Sequence, residues 1–237
     1  MQNISNSLSN VLKNWFDALK PLYSQLNTFV KQDKISSDVA KNIIQLMKEA
    51  SIACQKVSDK EYELILGVRD MAKLKDSGHK LVMADITDFE GLKRSFNGVD
   101  VVVNLAGNAN EKDEFHTLIE PNIIGSYNVL EAARLTGVKR VIMASSVHAV
   151  KGHHHEKIIS ENDAPRPENY YGATKAFIEA LCHVYYKKFN LSCLAIRIGA
   201  YISDDMHQVL LTRENNDYVI SQRDMAQLLH KSIIAPN

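Results

Sequence analysis

From residue 61 onward, short apolar runs alternate with amphipathic stretches of helical length, and this alternation restricts the fold more than any other feature. The runs Tyr62–Val68, Lys80–Ala84, Val99–Leu105, Arg140–Ser145 and Leu191–Ile198 have the length of strands. VDVVVNLA and VKRVIMAS are nearly continuous in apolar residues, as strands covered on both faces should be. Helical stretches lie near 88–96, 113–136 and 171–189, with a last one near 222–234. Strand followed by helix, repeated, predicts an α/β fold with a parallel, doubly wound sheet and right-handed crossovers. The 237 residues suffice for one such domain or for a domain with an appendage. With 45% apolar and 24% charged residues, disorder and a fibrous repeat are excluded.

Residues 1–60 read differently: they hold no glycine and are rich in Asn, Ser and Lys. Leu8, Leu12, Trp15, Leu19, Leu22, Leu26 and Phe29 follow a 4-3-4-3 spacing that places them along one helical face. Pro21 disfavours helical backbone at Lys20, which predicts a break between two shorter helices. Residues 1–25 are read as a helical extension packed on a main domain at 26–237, with a coiled-coil arm as the alternative. That alternative leaves a homo-oligomer open. A further helix is expected from about Ser37 to Ala50.

Lys and Arg number 28, as do Asp and Glu, so the formal net charge is zero. Nothing global attracts nucleic acid or an anionic membrane. No run approaches a membrane span, and the start MQNISNSLSN lacks an export signal, so a soluble cytoplasmic protein is expected. Cys54, Cys182 and Cys193 are odd in number and without CxxC spacing, which favours reduced thiols.

In an open α/β sheet, ligands bind beyond the carboxyl ends of the strands. Those ends carry Arg69 and Asp70, then Asp85 and Ile86, Ala106 and Gly107, Ser145, Ser146 and His148, and finally Arg197 and Gly199. Tyr171-Gly-Ala-Thr-Lys175 then opens a helix with Tyr and Lys one turn apart. A free tyrosine is a poor base at neutral pH, but a neighbouring ammonium favours its phenolate and equips it to exchange a proton with an alcohol or carbonyl. A serine across the site would hold the substrate oxygen. YxxxK alone is a weak signal; Ser146 closing its own strand, 25 residues earlier, makes the set specific.

The ordered segments DITD (85–88), NLAG (104–107), NIIGSYNVLEAAR (122–134), RVIMASS (140–146), YGATK (171–175) and LAIRIG (194–199) resemble the extended short-chain dehydrogenase/reductase family. Within it they look most like the NAD-dependent epimerase/dehydratase group that includes uronate dehydrogenases. The resemblance covers about residues 61–234 and implies a Rossmann-like fold binding NAD or NADP, with a small sugar-like or hydroxylated substrate. It makes Tyr171 the proton-transfer residue, Lys175 its modulator and nicotinamide-ribose ligand, and Ser146 the substrate-oxygen ligand. Asp85 and Ile86 fall beside the adenine, Leu105, Ala106 and Gly107 along the dinucleotide, and Asp70 near the adenosine ribose. Arg69 beside it suits a 2′-phosphate instead, so NAD and NADP both stay open. His148 and Arg197 fall near substrate positions, while Val147 stands where uronate dehydrogenases carry asparagine.

One departure matters most. The family opens with a central strand and a glycine-rich turn, yet the first glycine here is Gly67. Aligning the helix at 38–50 puts Leu26–Val30 on that strand and KQDKISS (31–37) on the turn, with Lys31, Lys34 and Ser37 replacing the glycines. Side chains there should obstruct close approach of a pyrophosphate, although a helix N-terminus and two lysines still attract an anion. Ile52–Val57 is a rival strand. The alternative function is therefore a degenerate member that binds cofactor weakly and acts as a binding or regulatory protein. His153, His154 and His155 are read as a solvated loop, since no cluster with metal-site spacing accompanies them.

Overall fold

The computed structural model describes residues 62–71, 79–154, 157–201 and 219–236. In chain order these form β1 (Ile65–Val68), β2 (Lys80–Met83), α1 (Phe89–Phe96), β3 (Val101–Asn104) and α2 (Phe115–Leu118). A π-helical turn (Ile119–Ile124) leads into α3 (Gly125–Thr136), then β4 (Arg140–Ser146) and a 3-10 turn (Val147–Ala149). The chain continues as α4 (Tyr170–Phe189), β5 (Ser192–Ile198), β6 (Ala200–Tyr201), β7 (Val219–Ile220) and α5 (Gln222–Ile234). Every strand pairing is parallel: β1 with β2, β4 between β3 and β5, and β6 with β7. This is the expected Rossmann-like α/β architecture.

β4 explains why its sequence is apolar without alternation. Val141 and Met143 join a core with Leu92 and Phe96 of α1, Val129, Leu130 and Ala133 of α3, and Ile178, Cys182 and Tyr185 of α4. Ile142 points the other way, into a core with Tyr201 and with Met225 and Leu229 of α5. β3 and β5 divide in the same manner: Val102, Cys193 and Ala195 face the first core, and Val101, Val103, Leu194 and Ile196 the second. A side chain on either face thus leaves water, worth about 1.5–3 kcal/mol for each large aliphatic residue. Arg140 is the polar exception. Its Nε donates to Ser192 Oγ at 3.0 Å and its Nη1 to the carbonyls of Ser232 and Ile233 at 3.1 and 2.9 Å, so a cation closes the C-terminal end of α5.

Capping follows local chemistry. Asp88, Asn169 and Ser221 each accept a backbone N–H from the first turn of α1, α4 and α5. Asn190 and Gly137 end α4 and α3 in the left-handed conformation.

Three features differ from the sequence reading. The helical stretch expected at 113–136 is found over 115–136, but a six-residue π segment containing Pro121 interrupts it between α2 and α3. β6 and β7 were unexpected, because two residues carry no periodicity to read. β1, β2, β3 and β5 are also shorter than their apolar runs, and β4 extends one residue past its own, to Ser146. The helical extension 1–25, the candidate strands Leu26–Val30 and Ile52–Val57, the turn 31–37 and the helix at 38–50 lie outside the described residues. Among the described residues β1 pairs only with β2, and β3 only with β4. No described helix is long and apolar enough to cross a membrane.

Candidate active site

The end of β4 and the start of α4 are fastened together by short, specific contacts. Ser146 Oγ accepts the backbone N–H of His148 at 3.2 Å, which turns the chain out of the strand. Asn169 caps α4 through Oδ1, accepting the Gly172 N–H at 2.7 Å, while its Nδ2 lies 3.1 Å from His148 Nδ1. Gly172 permits this closeness: a Cβ there would sit 2.3 Å from the His148 carbonyl oxygen.

Tyr171 and Lys175 are consequently buried in the same corner, at 9% and 6% exposure. Lys175 Nζ donates to the Ala144 carbonyl at 2.7 Å and lies 5.5 Å from the centre of the Tyr171 ring. The Tyr171 ring meets His148 edge-on at 5.5 Å. Of the residues expected from scattered motifs, His148 and Lys175 thus both lie against the Tyr171 ring, and Ser146 holds the His148 N–H.

His148 is held at both nitrogens. Asn169 donates to Nδ1, which assigns the proton to Nε2, and Nε2 lies 2.9 Å from Glu111 Oε2. Burial pushes this imidazole below its ordinary pKa, and the nearby Glu111 carboxylate only partly opposes the shift. The geometry is that of a neutral histidine donating to a carboxylate.

The loops expected to follow a dinucleotide are also fixed by side chains. Gly107 has φ +152°, and a Cβ on it would lie 3.0 Å from Asn122 Oδ1. Asn122, buried in the π turn, accepts the Asn108 N–H at 2.7 Å and donates to the Asn108 carbonyl at 2.9 Å and to Thr174 Oγ1 at 3.1 Å. Thr174 in turn donates to the Tyr171 carbonyl at 2.7 Å, linking Leu105–Ala106–Gly107 to the helix that carries Tyr171. Asn128 Nδ2 holds the Ile86 carbonyl at 3.0 Å. Asp85 Oδ1 accepts the backbone N–H and the hydroxyl of Thr87, and the backbone bond is the main reason its carboxyl lies below the usual range. Arg69 and Asp70 are exposed beyond β1.

Arg197, near the end of β5, is engaged within the chain. Its Nε and Nη2 fork onto Glu179 Oε1 and Oε2 at 2.9 and 2.8 Å, and Ser145 Oγ donates to the same Oε1 at 2.6 Å. Its remaining donors reach the Ser160 and Asp163 carbonyls, both at 3.3 Å. In the histidine loop, His153 Nε2 contacts the Ala164 carbonyl at 2.9 Å, and His155 lies outside the described residues.

Glu111, Asn122, Asn169 and Glu179 escaped the sequence reading. Glu179 could have been found, since 171, 175 and 179 share one helical face. Asn169 sits where an N-cap is expected. Glu111 and Asn122 carry no such local signal.

Residues 50–219 match the NAD dependent epimerase/dehydratase family. The chain belongs to that family. The matched span begins beyond the KQDKISS segment. Among family relatives, the chain is 28% identical over 179 residues to a uronate dehydrogenase of Pseudomonas syringae pv. tomato, covering 74% of this chain and 63% of that enzyme. It is 34% identical over 136 residues to an L-arabinose 1-dehydrogenase (NAD(P)(+)) of Haloferax volcanii, covering 52% of this chain and 54% of the relative. The crystal structure of the glucuronic acid dehydrogenase of Chromohalobacter salexigens superimposes with a TM-score of 0.68 at 26% identity, covering 80% of this chain and 69% of the other. The chain therefore spans less than two thirds of the length of those two curated enzymes.

Proposed function

We propose that this chain is an NAD- or NADP-dependent oxidoreductase or epimerase-type protein acting on a sugar-like hydroxylated substrate. The observation that carries the proposal is the buried corner in which Lys175, anchored on Ala144, stands beside Tyr171 and next to Ser146 and His148. In this reading Ser146 holds the reacting oxygen, His148, fastened by Asn169 and Glu111, flanks the substrate, and Tyr171 gives or takes the proton while the Lys175 ammonium stabilises the phenolate. The dinucleotide would be held by Asp70 at its ribose, by Asp85 and Ile86 at its adenine, by Leu105, Ala106 and Gly107 along its length, and by Tyr171 and Lys175. Gly107 at φ +152° adopts a backbone conformation that residues with side chains rarely take, consistent with a bare backbone facing the dinucleotide. When bound, the dinucleotide supplies hydride acceptance or donation; the protein supplies orientation and the proton.

The test is melting of the full chain with NAD or NADP, followed by turnover of glucuronate and arabinose. Cofactor at 100 times its dissociation constant should stabilise the protein by about 2.7 kcal/mol. Tyr171→Phe should cut turnover by roughly 10²-fold or more with little effect on melting. No stabilisation by either dinucleotide at millimolar concentration would refute the proposal. It would leave the second reading, a binding or regulatory member of the family, which the glycine-free segment before Gly67 favours.

A further inference from the structure

The pair formed by Glu179 and Arg197 does more than neutralise two charges. Glu179 is 14% and Arg197 21% exposed at the side chain, and the two meet through a two-bond fork. Ser145 adds a third hydrogen bond to the carboxylate, from the residue preceding Ser146. Such a fork fixes the plane of the guanidinium, and a lysine cannot reproduce it. The donors left over face the Ser160 and Asp163 carbonyls. Those carbonyls belong to a turn closed by Ser160 N–H on Asp163 Oδ2 and by Asp163 N–H on the Ser160 carbonyl, with Lys157 paired to Asp163.

This turn lies in the segment joining His148 to Tyr171, the two halves of the corner. The base of the segment is secured without Arg197, by Gly152 N–H on the Arg166 carbonyl at 2.8 Å and Arg166 N–H on the Ala149 carbonyl at 2.7 Å. Its tip has Arg197. An anionic group on a substrate would have to displace either the Glu179 carboxylate, leaving it unpaired, or the two loop carbonyls that occupy the other edge of the guanidinium.

We propose that Glu179 and Arg197 form a strap in which Glu179 orients Arg197 to hold the tip of the 157–164 loop, so that Arg197 is a positioning residue for substrate rather than its ligand. The word substrate rests on the function proposed above, but the strap itself does not. Tyr171, Lys175 and Ser146 have their own anchors, so releasing the loop should weaken substrate binding and leave the proton-transfer step in place.

Hydrogen exchange over residues 158–164 of the full chain tests the strap with no substrate present. Glu179→Gln and Arg197→Lys should each speed exchange there by roughly tenfold while the 149–152 segment keeps its protection. Because either single change leaves a buried charge unpaired and so threatens the fold, the double variant Glu179→Met with Arg197→Met fills the space and leaves no buried charge. It should melt near wild type yet exchange as fast as the single variants. A double variant with wild-type protection at 158–164 would overturn the proposal, since the pair would then serve packing alone. With glucuronate and NAD as probes, the double variant should raise KM about tenfold with kcat within about twofold; a lost kcat at unchanged KM would also overturn it. If wild type turns over neither sugar, the functional proposal fails while the exchange result still decides the strap.

Discussion

Gly172→Ala sets two effects of known size against each other. Alanine is favoured over glycine in a helix by about 1 kcal/mol, so propensity alone predicts a more stable protein. The new methyl, however, would sit 2.3 Å from the His148 carbonyl oxygen, 2.9 Å from its carbon and 3.0 Å from Pro167 Cβ. Two of these obstacles are backbone, in the turn closed by the His148 N–H on Ser146 Oγ, and cannot swing aside as a side chain would. Overpacking of this kind costs about 1–3 kcal/mol and here more at the upper end, leaving a net loss near 1–2 kcal/mol. For a chain of this size that is a fall in melting temperature of about 2–8 °C. The start of α4 must also shift away from β4, and displacement of reacting groups by about 1 Å costs on the order of 10²-fold in rate. Gly125→Ala is the comparison, because its obstacle is a side chain rather than backbone: Ile86 Cδ1 at 2.8 Å, Cγ1 at 2.9 Å and Cβ at 3.3 Å. Thermal melting of both variants decides the matter. If Gly172→Ala melts at or above wild type while Gly125→Ala falls, the close approach of α4 to His148 is wrong.

Asn122→Ala should destabilise the chain by about 1–3 kcal/mol, because the Asn108 N–H and carbonyl lose their partner in a buried place; an unchanged urea midpoint would count against the tie between the Gly107 loop and α4. His148 has a folded pKa below its ordinary 6.5, so the unfolded chain takes up that proton first as pH falls. The contribution is present above about pH 6.5 and is lost on acidification until the folded imidazole itself protonates, with Glu111 and Glu168 opposing the shift and Lys151 aiding it. His148→Gln should therefore show a shallower decline in melting temperature between pH 7 and pH 5 than wild type, and equal slopes would contradict the neutral assignment.

Sequence pattern revealed most of the frame because the sheet is covered on two sides. VKRVIMAS has no polar alternation, and the opposite directions of Val141 and Ile142 explain why. The corner was legible through Ser146, Tyr171 and Lys175, whose spacing has a chemical reason. The same reading placed Arg197 near the substrate and gave it no partner within the chain. A sequence cannot say that Glu179, eighteen positions earlier, closes on it, since this depends on how α4 lies across β5. The π turn was hidden for a related reason: Asn122 and Pro121 sit within an apolar stretch whose average pattern still reads as helix.

Lys175 carries a last consequence. A lysine on a flexible four-carbon stem ordinarily loses about 2 kcal/mol of rotamer freedom when a ligand pins it. Here the stem is buried and the ammonium rests on the Ala144 carbonyl, 2.7 Å away, before any ligand arrives. That disorder is surrendered when the chain folds, so a molecule entering the corner meets a charge already standing still. Mutations that loosen β4 at Ala144 should then weaken binding entropically, without removing a single group that touches the ligand.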